Sequence, residues 1–388
     1  MGIVSPGGFL RYFSFLGPGL ILLVSLSCRQ DKAKTPLKAK IVISTESGYK
    51  LQEVTYNTLT DPDSMNGNHA KIIGNAVLNL DSDKEVLTGS QPEDVYLKSG
   101  NDVFLEYTTK DDVLHPLNFD SMAMLTIYYH YEKTLEFWRD QLSLDLNDFG
   151  KRRLFYDPDI GAQSSLGSVT GTVKLNAAFL PGVKDFWFFK TSPIEKIPFK
   201  MNLGILAHEF SHGVFDYKFA KGNADFYIST RKESETQLSG MNEGVADYFS
   251  WMVTQREQEF VASLEDFAKE RVLPVTWTTF DLIRNPSQCK GGFYCKGSVL
   301  ASALYEVAKT KEVGAVVVGN TVYNALEDFR TDWEANKASE EFDYYFLLLR
   351  IIARATDEQK QHYCDSFIKW FDDSTNTNKV KEVCTSDA

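Results

Sequence analysis

The sequence predicts an α+β fold that is β-rich first and helical later, with a metal-binding helix between the two halves. The first half carries short alternating apolar runs: Ile41-Val42-Ile43-Ser44, Ala76-Val77-Leu78-Asn79-Leu80 and Val103-Phe104-Leu105-Glu106-Tyr107. Turn clusters such as Asp61-Pro62-Asp63-Ser64 and Asn66-Gly67-Asn68 separate them, which is the pattern of strands. From Gly240 onward the chain reads mostly as helix. Between these regions stands His208-Glu209-Phe210-Ser211-His212, preceded by apolar residues at helical spacing from Phe199, with Pro198 as the start signal.

The N-terminus reads as an address. Arg11 precedes an apolar stretch, residues 12–27, that is too short and too broken to span a bilayer. It ends at Cys28, after Ser27, and resembles a bacterial lipoprotein signal in which Leu26 falls one place later than usual. The resemblance implies cleavage before Cys28, acylation of its thiol, and anchoring to an outer membrane or cell surface. The protein would then face the periplasm or the exterior. An ordinary secretory signal with an incidental cysteine is the alternative. On this reading residues 1–27 are a signal peptide, and the polar, Lys-rich residues 28–40 are a tether. Four cysteines remain: Cys289, Cys295, Cys364 and Cys384. Nearest-neighbour pairing gives two local disulfides, although three connectivities are open. The absence of C-x-x-C spacing argues against zinc on these thiols.

Residues 41–100 form a β-rich N-terminal segment, and 101–388 form the main domain. Within it, Ser121–Leu142 reads as a helix whose Tyr128, Tyr131, Leu135 and Trp138 face a core. Strands are expected at Ser168–Leu175 and Phe186–Phe189, and the polar stretch Lys218–Gln237 is expected to be a surface excursion. Gly240 is expected to precede a helix with Glu243 in its first turn. A hydrophobic fraction of 43% and an aromatic fraction of 13% suffice for a sizeable core. A net charge of −12 argues against a nucleic-acid partner, since phosphate binding wants a basic surface.

The chemistry follows from spacing. Residues i and i+4 on a helix share a face, with Cβ atoms roughly 5–6 Å apart, so His208 and His212 can reach one ion. Zn²⁺ takes such nitrogens at about 2.0–2.1 Å and in catalytic sites keeps three protein ligands and one open position. Glu243 is the expected third ligand. Asp247, four residues on, can accept the second N–H of a ligating imidazole. Glu209, beside the metal, is the expected general base.

His208-Glu209-Phe210-Ser211-His212 followed by Asn242-Glu243-Gly244-Val245-Ala246-Asp247 resembles the thermolysin-like and fungalysin-like zinc metallopeptidases, the gluzincin group. The resemblance covers about residue 100 to the end. It implies a two-lobed fold, with lobes of about 101–215 and 216–388, and a zinc endopeptidase acting on peptide or protein substrates. Leu175-Asn176-Ala177-Ala178-Phe179 looks like the family element whose Asn176 and Ala177 hold substrate, with Phe186–Phe189 as the nearby edge strand. Two departures stand out. The family histidine that steadies the tetrahedral intermediate follows a Gly-Gly pair; here Gly291-Gly292 leads to Phe293-Tyr294, and Tyr294 stands near its place. Arg284 lies near the family arginine but out of register. Calcium is left open by the sequence and not indicated by it, because acidic loops such as Asp61–Asp63 and Asp81–Asp83 are more often solvated turns than ion sites. The chain is expected to be a monomer. The rival expectation is a membrane-anchored binding or adhesion protein that keeps the fold without turnover.

Overall fold

The computed structural model describes residues 36–45, 48–81, 95–164, 167–171, 176–181, 183–223, 226, 231–258, 260, 263 and 271–386. Pro36–Ala388 form one compact unit. The expected signal and Cys28 lie outside the described residues. The fold is α+β, β-rich over its N-terminal part and helical over its C-terminal part.

Thirteen strands are described. One four-stranded sheet runs β2 (Gly48–Tyr56), β1 (Leu37–Thr45), β8 (Val113–Pro116), β7 (Tyr107–Lys110). The larger sheet runs β11 (Gly167–Gly171), β10 (Asp159–Ser164), β5 (Ala70–Asp81), β9 (Arg152–Tyr156), β13 (Asp185–Phe188), β12 (Ala177–Leu180). Strands β3 (Leu59–Asp61), β4 (Asn66–Gly67) and β6 (Val95–Asp102) join it from the side. Because β5 pairs in parallel with both β9 and β10, it and the strands beside it, β3, β4 and β6, share one sheet with strands after residue 150.

Two strand expectations change. Val103–Glu106 alternates as expected, with Val103 and Leu105 buried and Phe104 exposed. It is nonetheless a connection between β6 and β7. Its backbone bonds go elsewhere: Leu105 N–H donates to Asp63 O at 3.0 Å, and Glu106 N–H to Ser121 Oγ at 2.9 Å. Alternation reports burial, and a ladder needs a partner strand as well. Phe186–Phe189 was expected at the sheet edge. Instead β13 lies inside, paired with β9 on one side and β12 on the other, and Asp185–Phe188 are all buried. A continuous apolar run is what an interior strand requires. The edge is β12 itself. Of the expected strand Ser168–Leu175, residues 172–175 lie outside the described residues.

The ten α-helices described begin with α1 (Phe119–Leu142), capped by Asn118, whose Oδ1 accepts from Ser121 N–H at 2.7 Å. Tyr128, Tyr131, Leu135 and Trp138 are buried, and the Trp138 ring lies 4.3 Å from that of Phe249. Then follow α2 (Leu146–Phe149), α3 (Leu203–Phe215), α4 (Lys232–Thr254), α5 (Thr279–Arg284), α6 (Phe293–Ala308), α7 (Ala315–Asn336), α8 (Tyr345–Arg354), α9 (Asp357–Trp370) and α10 (Ser374–Ser386). The stretch Lys218–Gln237 is not a polar excursion throughout. It opens inside a π-turn, Asp216–Ala220, that buries Phe219 against Phe329 at 5.1 Å, and it closes inside α4.

Gly240 lies within α4, not ahead of it. The reason is close approach to α6. A Cβ on Gly244 would sit 2.4 Å from Gly297 O, and a Cβ on Gly297 would sit 2.6 Å from Gly240 O. The helices touch backbone to backbone there. Disulfides join Cys289 to Cys295 ahead of α6, and Cys364 to Cys384 between α9 and α10, as nearest-neighbour pairing expects. Such bridges belong to an oxidising compartment. Among the described residues no helix is long and apolar enough to cross a membrane.

Two stability predictions follow from this packing. Gly244→Ala should cost about 3 kcal/mol, because its methyl meets backbone that cannot step aside; urea unfolding of the two proteins checks it. His130 is buried in α1 with Nδ1 unpartnered, and burial drives its pKa down to about 3. The unfolded chain therefore binds a proton below about 6.5 that the folded chain refuses, and stability should fall as pH drops from there toward 3. His130→Leu should flatten that part of the stability–pH curve; an unchanged curve would place the acid sensitivity elsewhere.

Candidate metal centre

Helix α3 starts later than Pro198. A 3₁₀ turn, Phe199–Met201, comes first, and Asn202 caps the helix by accepting from Gly204 N–H at 2.9 Å. The Asn202 side-chain amide is itself fixed by Ser263 Oγ at 2.9 Å. The helix is buried along most of its length, so its two imidazoles enter an already packed interior. His208 Nε2 and His212 Nε2 lie 2.9 Å apart.

Glu243 comes from the middle of α4. Its Oε2 lies 3.2 Å from His208 Nε2, and its Oε1 lies 3.5 Å from His212 Nε2. These three residues offer donor atoms that all lie within 4.8 Å of one another, the one such group among the described residues. Ligands at about 2.0–2.1 Å around a tetrahedral ion are about 3.3 Å apart. Separations of 2.9, 3.2 and 3.5 Å bracket that value.

The far side of each ring agrees. His208 Nδ1 faces Asp247 Oδ1 at 3.0 Å, and His212 Nδ1 faces Asn242 Oδ1 at 2.9 Å. Both partners can accept, so in a metal-bound centre each Nδ1 would carry the proton and each Nε2 would turn a lone pair inward. Asp247 is buried, not a solvated acid. The donor set therefore fits a zinc ion.

Glu209 projects from the same helix into a cleft of about 260 Å³. Its Oε2 accepts from Phe179 N–H of β12 at 2.9 Å. Burial raises its pKa to about 7, so it can hold or release a proton near neutrality. Asn176, Ala177 and Tyr294 line the same cleft. The Asn176 carbonyl accepts from Phe189 N–H at 3.1 Å, and its side chain is exposed at the mouth. Tyr294 sits in the first turn of α6, just inside the Cys289–Cys295 loop. Burial raises its pKa, so it remains a phenol able to donate. Larger cavities, of about 810 and 520 Å³, contain none of the three donor residues.

The arginine in the cleft is Arg271, not Arg284, which is exposed at the end of α5. Arg271 is buried, and its Nε and Nη2 reach Asp247 Oδ2 and Oδ1 at 3.1 and 2.5 Å. Nη2 also lies 3.0 Å from Glu243 Oε2. No motif surrounds Arg271 in the sequence. The residue follows Lys269-Glu270 and precedes the apolar Val272-Leu273, a setting that many solvated arginines share. Asn242 had a clearer mark: it stands next to the third donor.

Asn242→Leu should weaken zinc binding about tenfold, since the imidazole of His212 loses its orienting partner. Competition with a chromogenic chelator measures it; an unchanged affinity would mean that something else holds the ring.

No protein-family model matches the chain, and no curated protein matches it. Solved structures do match. One is described as a precursor of protealysin, a metalloproteinase from Serratia proteamaculans; it aligns with 77% of this chain and 87% of its own at 13% identity and a TM-score of 0.45. A likeness at that level assigns no role to any residue, and the chemistry of the centre rests on the distances above.

Proposed function

We propose that this chain is a zinc-dependent endopeptidase of thermolysin-like, two-lobed type, exported and held to a membrane through an acylated Cys28. The observation that carries the reading is the triangle of His208, His212 and Glu243 donors with the Glu209 carboxylate beside it in the same cleft.

His208, His212 and Glu243 would hold the ion, with Asp247 and Asn242 fixing the two rings. Zn²⁺ would supply Lewis acidity, acidifying a water and polarising the scissile carbonyl. Glu209 takes the proton of the attacking water and hands it to the leaving amine. Tyr294 donates to the oxyanion, and the Arg271 cation stands near the charge that develops. An extended peptide would lie along residues 176–179 at the β12 edge, making main-chain bonds, with the Asn176 side chain at the mouth and the Ala177 backbone along the strand. On this reading the edge that receives the peptide is β12, with Phe186–Phe189 the strand behind it.

A membrane-anchored binding protein remains the rival, motivated by a tyrosine where the family keeps histidine. The two separate cleanly. Purified protein with stoichiometric zinc should cleave a quenched peptide library, lose activity to a chelator and regain it with zinc. Glu209→Gln should keep its zinc and lose about 10²–10⁴-fold in kcat. Unmodified protein that holds zinc and cuts nothing would establish the binding role; a Glu209→Gln variant of undiminished activity would remove Glu209 as base. Cys28→Ser should move the protein from the membrane fraction to the soluble one.

A further inference from the structure

We infer that Arg271 sets how tightly the centre holds its metal, by acting as a built-in cation that competes for the same donor atoms. The inference rests on the zinc reading above. It concerns affinity for the ion, not the chemistry performed with it.

The guanidinium is pinned. Two of its nitrogens grip both oxygens of Asp247, a paired geometry that fixes orientation as well as distance. Two aromatic rings flank it: Phe260, with its centroid 4.6 Å from Cζ, and Tyr294, at 5.1 Å. So held, Nη2 points at the donor triangle. It lies 3.0 Å from Glu243 Oε2 and 3.3 Å from His208 Nε2. Those are two of the three atoms that would bind zinc.

Two costs to the metal follow. An N–H of Nη2 occupies a lone pair of Glu243 Oε2 that a divalent ion needs, and Nη2 also crowds the edge of the His208 ring, 3.3 Å from each of its nitrogens. The ion would also sit beside a permanent positive charge in a buried setting, where like charges repel far more than in water. Arginine does not give up its proton, so a change of pH cannot lift that repulsion.

One effect runs the other way. Arg271 steadies Asp247, which orients His208. However, Asp247 Oδ1 has its own 3.0 Å contact with His208 Nδ1, so the ring keeps its partner without the guanidinium. The competing terms therefore dominate. Arg271 thus holds the affinity of the centre below what its three donors alone would give.

The test is zinc affinity, read by competition with a chromogenic chelator at fixed pH. Arg271→Gln keeps an amide donor for Asp247 and removes the charge; it should bind zinc at least about tenfold more tightly and release it more slowly. Arg271→Lys keeps the charge but loses the fork on Asp247 and the N–H on Glu243, so its zinc affinity should fall between those of the unmodified protein and Arg271→Gln. Equal or weaker binding by Arg271→Gln overturns the inference. Should that variant not fold, the comparison is Asp247→Asn against Asp247→Asn/Arg271→Gln, which removes both partners together. The same tightening is expected there, and its absence is equally decisive. If the unmodified protein binds no zinc at all, the zinc reading itself falls; if it binds zinc and the ratios stay near one, only the role given to Arg271 falls.

Discussion

The closeness of α4 to α6 is the constraint on which the centre depends. Where the two helices meet, Gly244 and Gly297 leave no room for a side chain between backbones. A Cβ on Gly297 would come 3.2 Å from the Cβ of Glu243, so the absence of that atom directly behind Glu243 lets its carboxylate stand at the depth of the α3 imidazoles. The same contact seats the start of α6, from which Tyr294 reaches the cleft. One helix crossing thus positions an acid and a phenol that are 51 residues apart in the chain (294 − 243 = 51).

Electrostatics make that depth tolerable. Glu209, Asp247 and the partly buried Glu243 crowd a small volume with carboxylates, and a buried carboxylate is costly without a partner. The solutions differ. Asp247 has the fork of Arg271 and the imidazole of His208. Burial alone would raise the proton affinity of Glu243, but its contacts with His212, His208 and the Arg271 guanidinium outweigh burial and keep it ionised. Glu209 has one backbone N–H and is pushed toward neutrality by burial. A ligand-type carboxylate and a proton-carrying one therefore stand side by side, distinguished by their neighbours alone.

Much of this was legible in the chain. The spacing of His208 and His212 follows from helix geometry, and Asn242 through Asp247 places a carboxylate pair one turn apart on a second helix; local rules suffice for both. The α1 core face and both disulfides were readable for similar reasons. What escaped was relational. Whether Val103–Glu106 joins a sheet depends on a partner strand, not on its own alternation. Whether β13 or β12 is the rim depends on β9, which lies about thirty residues earlier (186 − 154 = 32 for the Phe186–Leu154 pair). Gly240 read as a helix start because a glycine usually breaks a helix; only the helix packed against it explains why one sits inside. Arg271 belongs to the same class, since a cation's partners are a property of the fold.

The N–H of Phe179 turns away from β13 and toward Glu209. This single peptide group therefore serves two masters. It is part of the rim on which another strand would settle, and it is the donor that eases the charge on the acid below. A chain segment claiming that hydrogen would strip Glu209 of a stabilising bond and increase its appetite for protons. Occupation of the rim and readiness of the carboxylate would then be one event, transmitted through a contact of 2.9 Å.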